Sequence, residues 1–110
     1  DFMNGNQITL IGQVGDHLQA STMRNGDRRV ALRVFTRYPA RDEQGKKTWH
    51  SQWHDVIAWR EQALFAERNL VKGSRVLVQG CVEYRTFMDD KEHKRYITRI
   101  RAFNFQNLDR

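Results

Sequence analysis

Apolar residues in this chain fall on alternate positions, and that period of two constrains its fold more than any other feature. Ile8, Leu10 and Val14 share one parity, with Gly12 between the last two where a strand can bend or bulge. Val30, Leu32 and Val34 alternate with Arg29, Arg33, Phe35 and Arg37, which face the other way. Residues 48–59 are rich in aromatic and β-branched side chains and read as a third strand. A fourth runs from Arg75 to about Phe87, with Val76, Val78 and Val82 on one side and Gly80 among them, and a fifth spans Arg95 to Phe105. The pattern breaks once. Ala63, Leu64, Phe65, Ala66 and Leu70 lie at helical spacing and predict a helix from Glu61 to Val71, with Lys72-Gly73 as basic last turn and glycine stop.

Turn chemistry separates these pieces. Asn25-Gly26-Asp27 is a strong turn signal. The charged stretch from Pro39 to Lys47, with Gly45, reads as an exposed loop, and Asp89-Asp90-Lys91-Glu92 as a hairpin tip. Three strands, a helix and two strands predict an all-β fold, a five-stranded OB-fold barrel with one short helix between strands three and four, although the same order also fits other small barrels. The 110 residues suit a single domain, 1–110, with 1–5 and 106–110 as loose ends.

The charge points to an anionic partner: net +6, with a sequence pI near 10.0. It is also clustered, since Arg24, Arg28, Arg29, Arg33, Arg37 and Arg41 stand against the lone acid Asp27 in that stretch. A single cysteine, Cys81, excludes an intrachain disulfide framework and fits a reducing compartment. No run approaches the roughly 18 apolar residues of a membrane-spanning helix, and no signal-peptide pattern is present, so a soluble cytoplasmic protein with no membrane partner is expected.

Recognised catalytic and metal patterns are missing. The sequence holds no Walker-type phosphate loop and no G-x-S-x-G elbow, and Gly12-Gln13-Val14-Gly15 is only a two-glycine strand end. Asp89-Asp90 reads as turn chemistry. His50 and His54, four residues apart on a strand, are separated by roughly 13 Å and cannot share one ion. His17 and Cys81 add no ligand spacing. No enzyme activity, metal or cofactor is expected.

Single strands of nucleic acid bind to basic grooves that follow phosphates and to rings on which bases stack. Trp49, Trp53 and Trp59 share one strand parity, and Arg29, Arg33, Phe35 and Arg37 share the outward parity of the strand before. The opposite parity of the third strand holds Val56 and Ala58 as core candidates, but also His50, Gln52 and His54, while Asp55 sits among the tryptophans. The tryptophan face therefore reads either as core or as a stacking surface. Arg85, Phe87, Lys94, Arg95 and Tyr96 flank the last hairpin tip and suit phosphate and base contacts or, equally well, a solvated hairpin.

These residues and their spacing resemble the bacterial and mitochondrial single-stranded-DNA-binding protein family over nearly the whole chain. The segment from Asn6 to Gly15 looks like its first strand, and Gln52-Trp53-His54-Asp55-Val56 resembles its Glu-Trp-His-x-Val signature. Leu70-Val71-Lys72-Gly73-Ser74-Arg75-Val76, with Val78-Gln79-Gly80, is similar to the end of its helix and its fourth strand; Arg95-Tyr96-Ile97-Thr98 looks like its hairpin return. The resemblance implies an OB-fold, usually a homotetramer, that wraps single-stranded DNA with little sequence preference and protects it in replication, recombination or repair.

By that resemblance Trp53 is the family's stacking tryptophan, Trp59 stands where the family has phenylalanine, and Phe87 where it has tryptophan. The family's loop tryptophan after strand two has no direct counterpart, and Tyr38 or Trp49 takes its place. His54 falls near a subunit contact; Arg75 and Leu77 fall near the dimer–dimer surface, which leaves a dimer open beside the tetramer. Bacterial members commonly end in an acidic recruiting tail; this sequence stops at Asn107-Leu108-Asp109-Arg110, either because such a tail was removed or because the protein is of a tail-less type, so contacts with replication and repair proteins through it are not assumed. A tail-less, mitochondrial-type protein of the matrix would show the same ending. The alternative expectation is an OB-fold accessory subunit, of primosomal or plasmid type, acting mainly through protein contacts.

Overall fold

A computed structural model describes residues 5–109, the side chain of His17 excepted. Five strands, β1 (Ile8–Thr22), β2 (Arg28–Arg41), β3 (Lys47–Trp59), β4 (Arg75–Met88) and β5 (Lys94–Asn107), and one helix, α1 (Glu61–Asn69), follow the predicted order. The strands close into a barrel in the order β1-β2-β3-β5-β4, with one short helix after the third, which is the OB-fold.

Closure depends on β1, which is long and bends. Its first half pairs with β4 from Ile8↔Gly80 to Gln13↔Arg75; its second half pairs with β2 from Gln13↔Phe35 to Thr22↔Arg28. The register shifts between Val14 and Leu18, slightly beyond the bend expected at Gly12. Gly12 itself is needed for close approach, because a Cβ there would collide with the Phe35 carbonyl oxygen. On the far side β3 meets β5 in parallel through only two pairs, Val56↔Ile100 and Ile57↔Arg101.

The core is the even-numbered face of the alternating runs: Val14, Val30, Leu32, Val34, Val56, Ala58, Val76 and Val78 are all but sealed from solvent. The helix covers one end with Ala63 and Ala66, while Phe65 stacks on Phe105 at 6.4 Å between centroids. Leu64, expected in the apolar stripe, is largely exposed. Arg28 fastens the helix to β2, donating from Nε and Nη2 to the two oxygens of Glu67 at 2.9 and 2.6 Å. The helix ends at Asn69, not Val71, because Leu70 turns to extended geometry (φ −117°, ψ 135°) and buries its side chain in the core. Gly73, at φ +88°, therefore serves the following turn, where its N–H donates to the Val14 carbonyl.

Of the ends expected to be loose, residues 1–4 and 110 lie outside the described residues, while 106–108 are paired. Gln106 and Asn107 continue β5 against Leu77 and Val76, and Leu108 donates its N–H to the Arg75 carbonyl. The pairing runs this far because β4 begins at Arg75 and offers β5 a ladder along its whole length. Beyond the barrel both hairpins extend outward: β2–β3 pairs without a break from Arg29↔Trp59 to Arg41↔Lys47, and β4–β5 from Gly80↔Ala102 to Met88↔Lys94.

Candidate nucleic-acid interface

The β2–β3 register places residues of summed number 88 opposite one another, so odd faces odd across the whole hairpin. Core valines take the even face of the barrel half. The odd face therefore points outward and collects Arg29, Arg33, Phe35 and Arg37 from β2 with Trp49, Trp53 and Trp59 from β3. Trp49 and Trp53 are exposed, which decides the choice that the sequence left open between core and surface for these two rings. Trp59 is half-buried.

Each tryptophan carries an arginine. The Arg33 guanidinium lies 4.6 Å from the Trp53 ring centroid, Arg37 5.6 Å from Trp49, and Arg29 5.8 Å from Trp59. These distances are within the range in which a cation is attracted by the ring face. The Arg29 pair is directly cross-strand; the other two are diagonal, because Arg33 and Arg37 stand opposite Asp55 and Ser51. Asp55, the acid among the tryptophans, sits 3.5 Å from Arg33 in an exposed ion pair that solvent screens.

Trp53 is supported from two sides. Phe35 packs against it at 5.1 Å between centroids, and Gly15 of β1 lies beneath it. A Cβ on Gly15 would stand 2.6 Å from Trp53 Cζ3, so only glycine lets the indole settle there. Sequence reading missed Gly15 as a site residue; its spacing behind Gly12 was the available signal, but which ring it supports is a tertiary fact.

Tyr38 is not part of this surface. It is an even residue on the opposite side of the hairpin, with its ring 5.2 Å from His50, so of the two residues considered for the loop position only Trp49 joins the tryptophan face. His54 is also even; its Nε2 lies 3.0 Å from Thr36 Oγ1. Burial lowers its pKa from the usual 6.5, with the neighbouring Asp55 carboxylate pulling the other way.

On the second hairpin Arg85, Phe87 and Arg95 share the odd, outward face. Phe87 is exposed, whereas Arg95 is engaged, donating from Nε to Asp89 Oδ2 at 2.8 Å. Asp89 also accepts the N–H groups of His93 and Lys91, and with them and Arg95 it is held below the usual carboxylate pKa. Arg75 and Leu77 lie on the outward side of β4, where Leu77 faces the exposed Ile11 of β1. A shallow groove brings Arg75 beside Arg37 and Trp49, so Arg75 borders the arginine–tryptophan surface as well as the β1–β4 face. Among the described residues, no three His, Cys, Asp or Glu side chains gather as metal ligands do, and no helix is long and apolar enough to cross a membrane.

A closed five-stranded barrel presenting arginines and rings on its β2–β3 face is an OB-fold with the composition of a single-strand-binding surface. The chain belongs to the single-strand binding protein family, whose sequence model matches residues 5–108. It is 32% identical over 104 residues to single-stranded DNA-binding protein 1 of Xylella fastidiosa (strain 9a5c), covering 94% of this chain and 76% of that protein. In fold it matches a Plasmodium falciparum SSB in complex with ssDNA at a TM-score of 0.86, with 24% identity and 99% of each chain covered. It also matches a deletion mutant of the single-stranded DNA binding protein from Thermus aquaticus at a TM-score of 0.81, with 27% identity, covering 94% of this chain and 50% of that one.

Proposed function

We propose that this protein binds single-stranded DNA with little sequence preference, stacking bases on Trp53, Trp59, Trp49, Phe35 and Phe87. In this reading Arg29, Arg33, Arg37, Arg85 and Arg95 neutralise phosphates. The observation that carries it is the row of three arginine-backed tryptophans on one outward face. A π face accepts any base, and a guanidinium beside it meets the phosphate, which is what sequence-tolerant binding requires. The single-strand-binding name of the family and the DNA-binding name of its bacterial relative favour this over an accessory subunit working through protein contacts. The role is that of a binding module without catalysis, protecting single strands in replication, recombination or repair, in the bacterial cytoplasm or an equivalent compartment.

Assembly as a homotetramer is part of the same proposal. His54, Arg75 and Leu77 serve subunit contacts, and the exposed Ile11 opposite Leu77 supports an apolar β1–β4 contact there. Titration with oligo-dT, followed by tryptophan fluorescence with light scattering in parallel, tests both parts. Quenching is expected on binding, with affinity falling as salt rises by about 0.7 log units per tenfold salt for each phosphate contacted. Unquenched tryptophans and an affinity indifferent to salt would refute the DNA reading; a monomeric mass would refute the assembly.

A further inference from the structure

Past Trp59 the outer surface of the barrel opens instead of closing. Because β3 and β5 pair only at Val56–Ile100 and Ile57–Arg101, the end of β3 diverges from β5 as it turns into the helix. Arg60 makes that turn at φ 57°, a backbone conformation rare for a residue with a side chain and one that recurs at functional sites. The gap is a groove of about 510 Å³ whose walls include Trp59, Arg60, Arg85, Arg99, Arg101 and Phe103.

Its charge is not balanced internally. Two acids, Asp27 and Glu83, also line the groove, and each is taken by one arginine: Arg60 Nε donates to Asp27 at 3.2 Å, and Arg99 Nε to Glu83 at 3.0 Å. Arg85 and Arg101 have no ion-pair partner among the described residues. Arg101 lies 5.9 Å from the centroid of Phe103, repeating on β5 the arginine–ring arrangement of β2–β3. Phe103 is 54% exposed, an aromatic ring presented to solvent at the irregularity where β5 slips register against β4.

This groove continues the first surface. A neighbouring groove of about 330 Å³, floored by Ile57 and bordered by Arg29, Arg33 and Asp55, shares Arg99 with it. The two grooves meet at Arg99, and the first is bordered by Arg33, whose guanidinium lies over Trp53. Along β5 the step from Arg99 to Phe103 is roughly 13 Å at about 3.3 Å per residue.

We infer that the Trp59–Phe103 groove is a further nucleotide subsite. Phe103 supplies a stacking platform, Arg85 and Arg101 hold phosphates, and the single strand crosses β5 after Trp59 in place of leaving the barrel at the end of β3. Unpaired guanidiniums keep their full donor set for phosphate oxygens. A small anion would use the arginines but leave the exposed ring idle, so a nucleotide chain fits better. This inference rests on the outer face being a single-stranded-DNA surface.

The test compares wild type, Arg101→Ala/Phe103→Ala, Arg85→Ala and Trp53→Ala on a series of oligo-dT lengths. The double variant should bind the shortest oligonucleotides like wild type and lose about tenfold or more on longer ones. Its salt slope, and that of Arg85→Ala, should fall by about 0.7 for each phosphate that is no longer held. Wild-type affinity and slope at every length in the Arg101→Ala/Phe103→Ala variant, while Trp53→Ala weakens all lengths, would end the path at Trp59 and overturn the inference alone. A change of mass in light scattering with unaltered slopes would also overturn it, making Phe103 a subunit contact. Failure of wild type to bind any oligo-dT would instead remove the underlying reading.

Discussion

The two hairpins that rise from the barrel have similar lengths and similar compositions, yet they are built differently. On β2–β3 all three tryptophans and their arginines fall on one face. On β4–β5 the rings are divided: Phe87 is on the outward face with Arg85, while Tyr84 and Tyr96, both exposed, stand on the other. The ring–cation contact near its tip, Lys94 over Tyr96 at 5.7 Å, is on that second face. Both tips are tied by an aspartate, Asp42 accepting the N–H groups of Gln44 and Lys46 as Asp89 accepts those of Lys91 and His93, but β2–β3 is also anchored at its base by Gly15 and Phe35 under Trp53. One hairpin is therefore a platform whose arginine-backed tryptophans share one supported face, with Tyr38 and His50 behind it, and the other an arm whose exposed rings are split between its two faces. Pre-positioned rings lose little freedom on binding, so the first should dominate affinity and the second should extend it.

The largest test of that contrast sets Trp53→Ala against Tyr84→Ala in oligo-dT titrations. The first should weaken binding by roughly 1–3 kcal/mol while leaving thermal stability nearly unchanged, since Trp53 is half exposed; the second should stay within about twofold. Equal losses from both would erase the distinction, and unfolding of Trp53→Ala would return that ring to the core.

Gly15→Ala probes the support itself. Its Cβ displaces the indole, so affinity should fall by less than in Trp53→Ala, and the substitution should cost nothing further once Trp53 is already alanine. Additive losses in the double variant would mean that Gly15 acts through the strand and not through the ring.

A smaller effect separates the arginines. Arg33→Ala should reduce the salt slope by about 0.7, whereas Arg95→Ala should change it less, because Arg95 is already held by Asp89. Identical slopes for the two variants would show that the Asp89 knot opens to DNA.

The smallest effect is in pH. Burial holds His54 below its ordinary 6.5, so the unfolded chain binds that proton more readily; its contribution is complete above about pH 6.5 and is lost as pH falls below it. Asp89, held below 3.8, contributes above that value and loses its contribution only in stronger acid. Thermal melts should therefore show wild type losing stability as pH falls below about 6.5, with His54→Gln flatter there and Asp89→Asn following wild type. Parallel curves for wild type and His54→Gln would show that another group carries the pH dependence.

Most of the barrel was legible in the sequence because a strand's period of two leaves a direct record. Val30, Leu32 and Val34 against Arg29, Arg33 and Arg37 fix which face is wet without any neighbour being known, and the same parity carried over to Trp49, Trp53 and Trp59. The helix was legible in position but not in its end, since burial of Leu70, and not the glycine signal at Gly73, stops it. The parity of Val30, Leu32 and Val34 extends to Tyr38 and places it on the even face, while the loop expected over residues 39–47 is shorter because pairing runs on to Arg41↔Lys47.

What the sequence alone determined is the alternation, the basic charge and the order of elements, all properties of residues close along the chain. Only the tertiary structure decided that Gly15 lies under Trp53 and that Arg101 and Phe103 meet Trp59 across one groove. Those juxtapositions follow from the bend of β1 and from the short β3–β5 seam, where barrel closure brings together residues far apart in the chain. No local pattern encodes where such a barrel closes, because closure is set by the packing of all five strands at once.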